Sequence, residues 1–266
     1  MREHVPALSI AFMILSLAIS IALPVGLCIY FRKKKRADIL PFFIGCAVMI
    51  LFAFVLEGFI NRAVMASSAG AVIQNSSWLL ALYGGIMAGV FEETGRFLAF
   101  KTVLKKQQGN DANALMYGAG HGGIEAIAIL GIASINNMIY SVLINSGNTA
   151  ILTAPLSGDV LKQVEDAIQT LITTPSWQFL MGSVERILAI VLHIALSVLV
   201  WFAAKKKKWY LYPVAILIHF AVDAVTVILS SNGVSLILIE GVIAAAAIAA
   251  ALYARSVWNK ERTFVM

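Results

Sequence analysis

A bundle of membrane-spanning α-helices is the fold class this sequence predicts. Of 266 residues, 60% are hydrophobic and only 13% are charged, and the mean hydropathy is +0.87. No soluble globular domain has that balance. The apolar stretches are too long and alternate too little to be barrel strands. The basic residues collect in short runs at the ends of those stretches, so the net charge of +6 is a topology signal and gives no sign of nucleic-acid binding. Cys28 and Cys46 both fall in apolar spans and read as packing residues rather than a disulfide. The first apolar run is long and precedes its basic cluster, the reverse of a cleaved signal peptide.

About seven spans follow, each near the ~20 apolar residues a helix needs to cross. They are Pro6–Phe31, Ile39–Met65, Trp78–Leu104, Ala112–Ser134, Gln178–Ala204, Trp209–Leu229 and Val234–Ala254. Basic residues close alternate spans: Arg32 to Arg36, then Lys101, Lys105 and Lys106, then Lys205 to Lys208, then Arg255, Lys260 and Arg262. The other side has only Arg2, Arg62 and Lys162. The positive-inside rule places the N-terminus outside and the C-terminus in the cytosol of a multi-pass cell-membrane protein. The chain reads as one integral membrane domain, 1–266, with one long extracytoplasmic loop at 135–177. In that loop Leu156, Val160, Leu161, Val164, Ile168, Leu171 and Ile172 recur at helical spacing, which predicts an amphipathic helix on the outer surface. It reads as a packed loop or as a lid over a lateral opening. Trp78, Trp177 and Trp209 stand at span ends, where tryptophan anchors helices.

Charged groups in a bilayer are costly and seldom persist without a partner or a task. Here Glu92, Glu93 and Arg96 occupy one span, His121 and Glu125 the next, His193 a third, and His219 with Asp223 a fourth. Counted from the cytosolic ends, all lie about 12–21 Å deep at 1.5 Å per residue. Tyr117, His121 and Glu125 share one helix face at i, i+4, i+8. His219 and Asp223 pair at i, i+4, and Arg96 reaches either Glu93 (i+3) or Glu92 (i+4). A carboxylate one turn from an imidazole fixes its tautomer and raises its basicity.

Each feature also has a structural reading. One acid with Arg96 makes a buried ion pair, and a lone histidine is more often a hydrogen-bonded core residue. Glu57 with Asn61 reads as a structural pair, and Glu185 with Arg186 as a structural pair or a pore lining. Convergence of acids and imidazoles on one depth favours function. Proteolytic chemistries then narrow by exclusion. There is no HExxH motif, no G-x-S-x-G motif, and no second aspartate in a span to make a dyad with Asp223. Glutamate with histidine remains, with or without a metal. A proton-coupled transporter or channel using the same groups as a relay is the alternative, and a non-catalytic scaffold is a third.

Glu92-Glu93 with Arg96, Tyr117-x-x-x-His121, and His219-x-x-x-Asp223 resemble the EExxxR, FxxxH and HxxxN motifs of the CAAX-protease and bacteriocin-processing superfamily. The strings EETGR, GAGHGGIEAI, ER-x6-H-x3-S and HFAVDA resemble its YhfC branch more closely, and PrsW-type proteases look like relatives. The resemblance implies a CAAX-protease-like helical core. It implies an intramembrane protease, glutamic-type or metallo-type, acting on a membrane-protein or lipidated-peptide substrate. Glu92 and His121 would activate water, with Glu93 beside them. His219 and Asp223 would stabilise the oxyanion, and Arg96, Tyr117, Glu125 and His193 would support them. Two departures stand out. Arg96 is one residue closer to the glutamate pair. Asp223 replaces Asn, so it must be protonated, orient His219 or bind a metal. Three imidazoles, His121, His193 and His219, invite a Zn²⁺ hypothesis.

Overall fold

A computed structural model describes residues 4–262; Arg2 lies outside them. The described residues are helical and contain no strand. Helix α1 is Ala7–Lys35 and α2 is Leu40–Met65, whose middle, Ile50–Glu57, is π-helical. Then come α3, Ser68–Gln74, and α4, Ser77–Lys101. Helix α5 is Ala112–Asn145, with a π-helical stretch at Ile127–Gly131. The short α6, Ala150–Thr153, and α7, Gly158–Thr173, precede three long helices: α8, Gln178–Lys206, α9, Leu211–Ser231, and α10, Leu236–Glu261.

Six of these helices, α1, α2, α5, α8, α9 and α10, are long and apolar enough to cross a membrane. The seventh predicted span is α4. Its 25 residues give about 37 Å at 1.5 Å per residue, enough to cross. Glu92, Glu93 and Arg96 keep it outside the apolar group. The helices run on past the apolar runs that predicted them. Helix α5 continues to Asn145 and α10 to Glu261, because polar residues at a helix end need not unwind it once they are out of hydrocarbon. Serine supplies the N-caps of α3 and α4: Ser67 Oγ accepts from Gly70 N and Ser76 Oγ from Leu79 N, satisfying donors that a helix start leaves open.

The chain forms two compact units. One comprises residues up to Leu23 and Ala126–Arg186. Its core is Val5, Met13, Ile144, Leu171 and Ile172, so the apolar face of the amphipathic α7 is turned inward here. Small polar residues join its helices. Ser183 donates to Ser16 at 2.9 Å, Ser16 to the Phe179 carbonyl at 2.9 Å, and Asn145 brackets the Val5 backbone at 2.8 and 3.0 Å. Such bonds hold helices together where lipid offers no hydrophobic drive.

The second unit, Pro24–Glu125 and Ile187 onward, holds all the charged residues of the predicted layer. Helix α8 is its axis. Of the most apolar stretch of α8, 72% is buried, against 17–28% in the other five apolar helices. Its Trp201 and Phe202 are fully enclosed, with Phe100, Leu104 and Tyr117 in the same core. Helix α5 is sandwiched by close backbone approaches. A Cβ on Gly120 would stand 2.0 Å from the Phe42 carbonyl oxygen of α2, and one on Gly118 would stand 2.6 Å from Ile194 Cα of α8. Only glycine fits there, and His121, between Gly120 and Gly122, is thereby held against α8. Helix α4 meets α9 through Thr94 Oγ1 and Tyr212 OH, 2.7 Å apart, and through stacked Phe97 and Tyr212 rings, 4.8 Å between centroids.

Candidate active site and metal centre

The four helices α4, α5, α8 and α9 bring Glu92, His121, His193 and His219 together. The Glu92 carboxylate lies at the centre. Oε2 is 2.9 Å from His121 Nε2 and 3.9 Å from His193 Nδ1, and Oε1 is 4.0 Å from His219 Nε2. The rings themselves form a row, with centroids 5.0 Å apart for His121–His193 and 5.4 Å for His193–His219. All four residues are buried.

Behind this cluster every other predicted residue finds a place. Glu93 is fully buried and pairs with the Arg96 guanidinium through both its oxygens. Arg96 therefore takes the i+3 partner and leaves Glu92 to the imidazoles. Glu93 Oε1 also accepts from His219 Nδ1 at 2.9 Å. His193 Nε2 meets Glu125 Oε2 at 2.7 Å, and its Nδ1 lies 3.1 Å from Arg96 Nη2. Asp223 Oδ2 is 3.5 Å from His219 Nε2, and at 36% exposure its side chain is the most open of the group. Tyr117 stacks on His121 at 5.8 Å between centroids and edges onto Phe100. Its hydroxyl is buried with no hydrogen-bond partner among the described residues.

These distances settle tautomers. His219 gives its Nδ1 proton to Glu93, and its Nε2 faces two carboxylates, Glu92 and Asp223, which a bare lone pair would repel. A proton or a cation is needed there. His193 gives its Nε2 proton to Glu125, leaving Nδ1 to accept from Arg96. Both imidazoles are thus held from behind by a carboxylate, the support that metal-bound or proton-transferring histidines need. His121 Nδ1 is buried with no hydrogen-bond partner.

Other singled-out residues lie elsewhere. Glu185 pairs with its neighbour Arg186. Glu57 accepts from Asn61 Nδ2 at 3.0 Å, and Asn61 in turn accepts from Tyr83 OH at 2.7 Å. Two buried acids outside the predicted layer carry the same signal of a charge in or beside an apolar run. Asp111 accepts from Trp201 Nε1 at 2.8 Å and Lys205 Nζ at 2.6 Å, and Glu240 of α10 is 5% exposed.

The profile of the YhfC intramembrane metalloprotease family matches residues 19–244, most of the chain and all of this cluster. The chain belongs to the YhfC family. A relative from Bacillus subtilis (strain 168), described as the uncharacterized membrane protein YhfC, is 38% identical over 221 residues, covering 82% of this chain and 84% of its own. No solved structure matches the chain.

The family description implies a metal, and the donor set fits one. Glu92, His121 and His193 each offer a ligand atom, all within 4.8 Å of one another. A carboxylate with two imidazoles is a donor set of hydrolytic zinc sites. The compact group contains Glu92 where the sequence reading has His219. His219 faces the same carboxylate from the α9 side, anchored on Glu93. The unpartnered His121 nitrogen agrees with the fit; His193, held at Nε2 by Glu125, would ligate through Nδ1 in place of its contact with Arg96.

Proposed function

We propose that this chain is an endopeptidase that hydrolyses a peptide bond of a membrane-embedded substrate, a membrane protein or a lipidated peptide, at the Glu92 layer. One observation carries the reading: a single buried carboxylate enclosed by three imidazole nitrogens at 2.9, 3.9 and 4.0 Å. The family description and the likeness of the three motifs to the wider CAAX-protease superfamily support it.

In this mechanism Glu92 takes a proton from water held beside it, with His121 Nε2 fixing the carboxylate. The hydroxide adds to the scissile carbonyl. His219, locked by Glu93, turns Nε2–H toward the developing oxyanion. Asp223 holds His219 from the open side. Glu92 then returns its proton to the leaving amine. A zinc ion, held by Glu92, His121 and His193, would polarise the carbonyl and make the water more acidic.

Metal content tests that last element. Protein purified from membranes is expected to carry zinc, to lose thermal stability on chelation as a bound ligand is withdrawn, and to lose zinc in His121→Ala and His193→Ala. Full cleavage of a reporter by metal-free protein would instead leave glutamate–histidine acid–base chemistry alone.

The same reading places the N-terminus outside and the C-terminus in the cytosol. The cationic ends of α1, α4, α8 and α10, with Arg32–Lys35, Lys101, Lys205–Lys206 and Lys260, support it. In a background lacking Cys28 and Cys46, Val160→Cys is expected to label in intact cells and Lys206→Cys only after permeabilisation. The opposite pattern inverts the topology.

A further inference from the structure

Hydrolysis inside a bilayer needs a supply of water, and the open side of His219 faces Asp223. We propose that water reaches the Glu92 layer from the face opposite the Lys/Arg clusters, along a polar file of Tyr83, Asn61, Glu57 and Asp223. The use made of the water rests on the hydrolytic reading; the file itself does not.

The members of the file lie at successive levels. Measured along each helix from its Lys/Arg-side end at 1.5 Å per residue, Glu92 stands about 14 Å deep, Asp223 about 18 Å, Glu57 about 25 Å, Tyr83 about 27 Å and Asn61 about 31 Å. Its links are on the page: His219 Nε2 to Asp223 at 3.5 Å, Glu57 to Asn61 at 3.0 Å, and Asn61 to Tyr83 at 2.7 Å. Helix α4 packs against both the stretch of α2 that ends at Glu57 and α9, which carries Asp223, so the outer and inner parts of the file lie beside the same helix.

Three features separate this file from a purely structural pair. First, a carboxylate offers about four acceptor sites, and the Asn61 amide is the one side-chain donor bonded to Glu57 among the described residues. Water is the donor left to fill the others. Second, Glu57, Asn61 and Tyr83 are all only half-buried, so the file has an open side. Neighbours such as Val55, 51% exposed, turn apolar surface outward. Third, Glu57 closes the π-helical stretch of α2, and such stretches gather at functional sites. A half-buried carboxylate at this depth, facing dry hydrocarbon, would be too costly to keep.

Thiol labelling tests the path without reference to catalysis. Glu57→Cys, Asn61→Cys and the control Val55→Cys are made in a background lacking Cys28 and Cys46, and a charged, impermeant thiosulfonate is applied from the face opposite the cationic clusters. Positions 57 and 61 are expected to react at least about 10-fold faster than 55, since a charged reagent does not enter hydrocarbon. Equal rates at all three positions overturn the path. In reporter cleavage, Glu57→Leu is expected to lower kcat several-fold at unchanged KM, and Glu57→Gln, which still binds water, to restore most of it. Unchanged kcat in a folded Glu57→Leu protein also overturns the path. Labelling contrast with no cleavage by any variant leaves the path standing and removes the hydrolytic reading instead.

Discussion

Glu92→Gln is expected to reduce cleavage by at least ~10²-fold, the usual contribution of a general base, while the protein stays folded. The amide keeps the size of the carboxylate and can still hydrogen bond to His121 Nε2, now 2.9 Å from Oε2. It cannot take a proton from water, and it is a poor ligand for a cation. The Arg96 guanidinium does not depend on Glu92, because it pairs with Glu93. The measurement is cleavage of a reporter in proteoliposomes, with thermal unfolding as the control. Full activity in a well-folded Glu92→Gln protein would eliminate the assignment of Glu92.

The neighbouring acid behaves differently. Glu93 and Arg96 are both fully buried and bonded to each other. Removing one partner leaves the other as an uncompensated buried charge, at a cost of about 3–5 kcal/mol. Arg96→Met and Glu93→Leu are each expected to lower stability by that order. The double variant Glu93→Leu/Arg96→Met is expected to recover much of the loss, because neither charge then remains. The non-additivity is the signature of direct contact. Glu93 variants also release His219 Nδ1, so their activity falls through misplacement of His219 as well. Unfolding in detergent measures the cycle. Single losses below about 1 kcal/mol, as for an exposed pair, would contradict the burial of this one.

The depth of the charged residues was legible from span boundaries alone, since a helix rises by a fixed amount per residue. The shared face of Tyr117, His121 and Glu125 followed from their spacing. Helix packing decides the rest. Arg96 reaches i+3 and i+4 equally well by sequence, and only the approach of α9, which sets His219 against Glu93, assigns it. Glu92 joins His121 and His193 in one compact donor group where α5 and α8 meet closely at Gly118, while His219 on α9 is anchored by Glu93. The π-helical stretches leave no mark in the apolar pattern, because they shift register without changing composition. Asp111 lay at a span edge, where an acid needs no explanation until Trp201 and Lys205 are seen bonded to it. Helix α4 shows the limit of hydropathy. The charges that make it interesting also make it the least apolar of the long helices.

The most direct test of proteolysis at the Glu92 layer is a quantitative comparison of new chain termini. Membranes containing wild-type protein or Glu92→Gln at matched levels are analysed by mass spectrometry. The account predicts termini within membrane-spanning segments of other proteins, or beside lipidated residues, in the wild-type sample alone. Identical termini in both samples, together with a proton or solute flux that only the wild type supports, would contradict it and assign the buried carboxylate and its three imidazoles to transport.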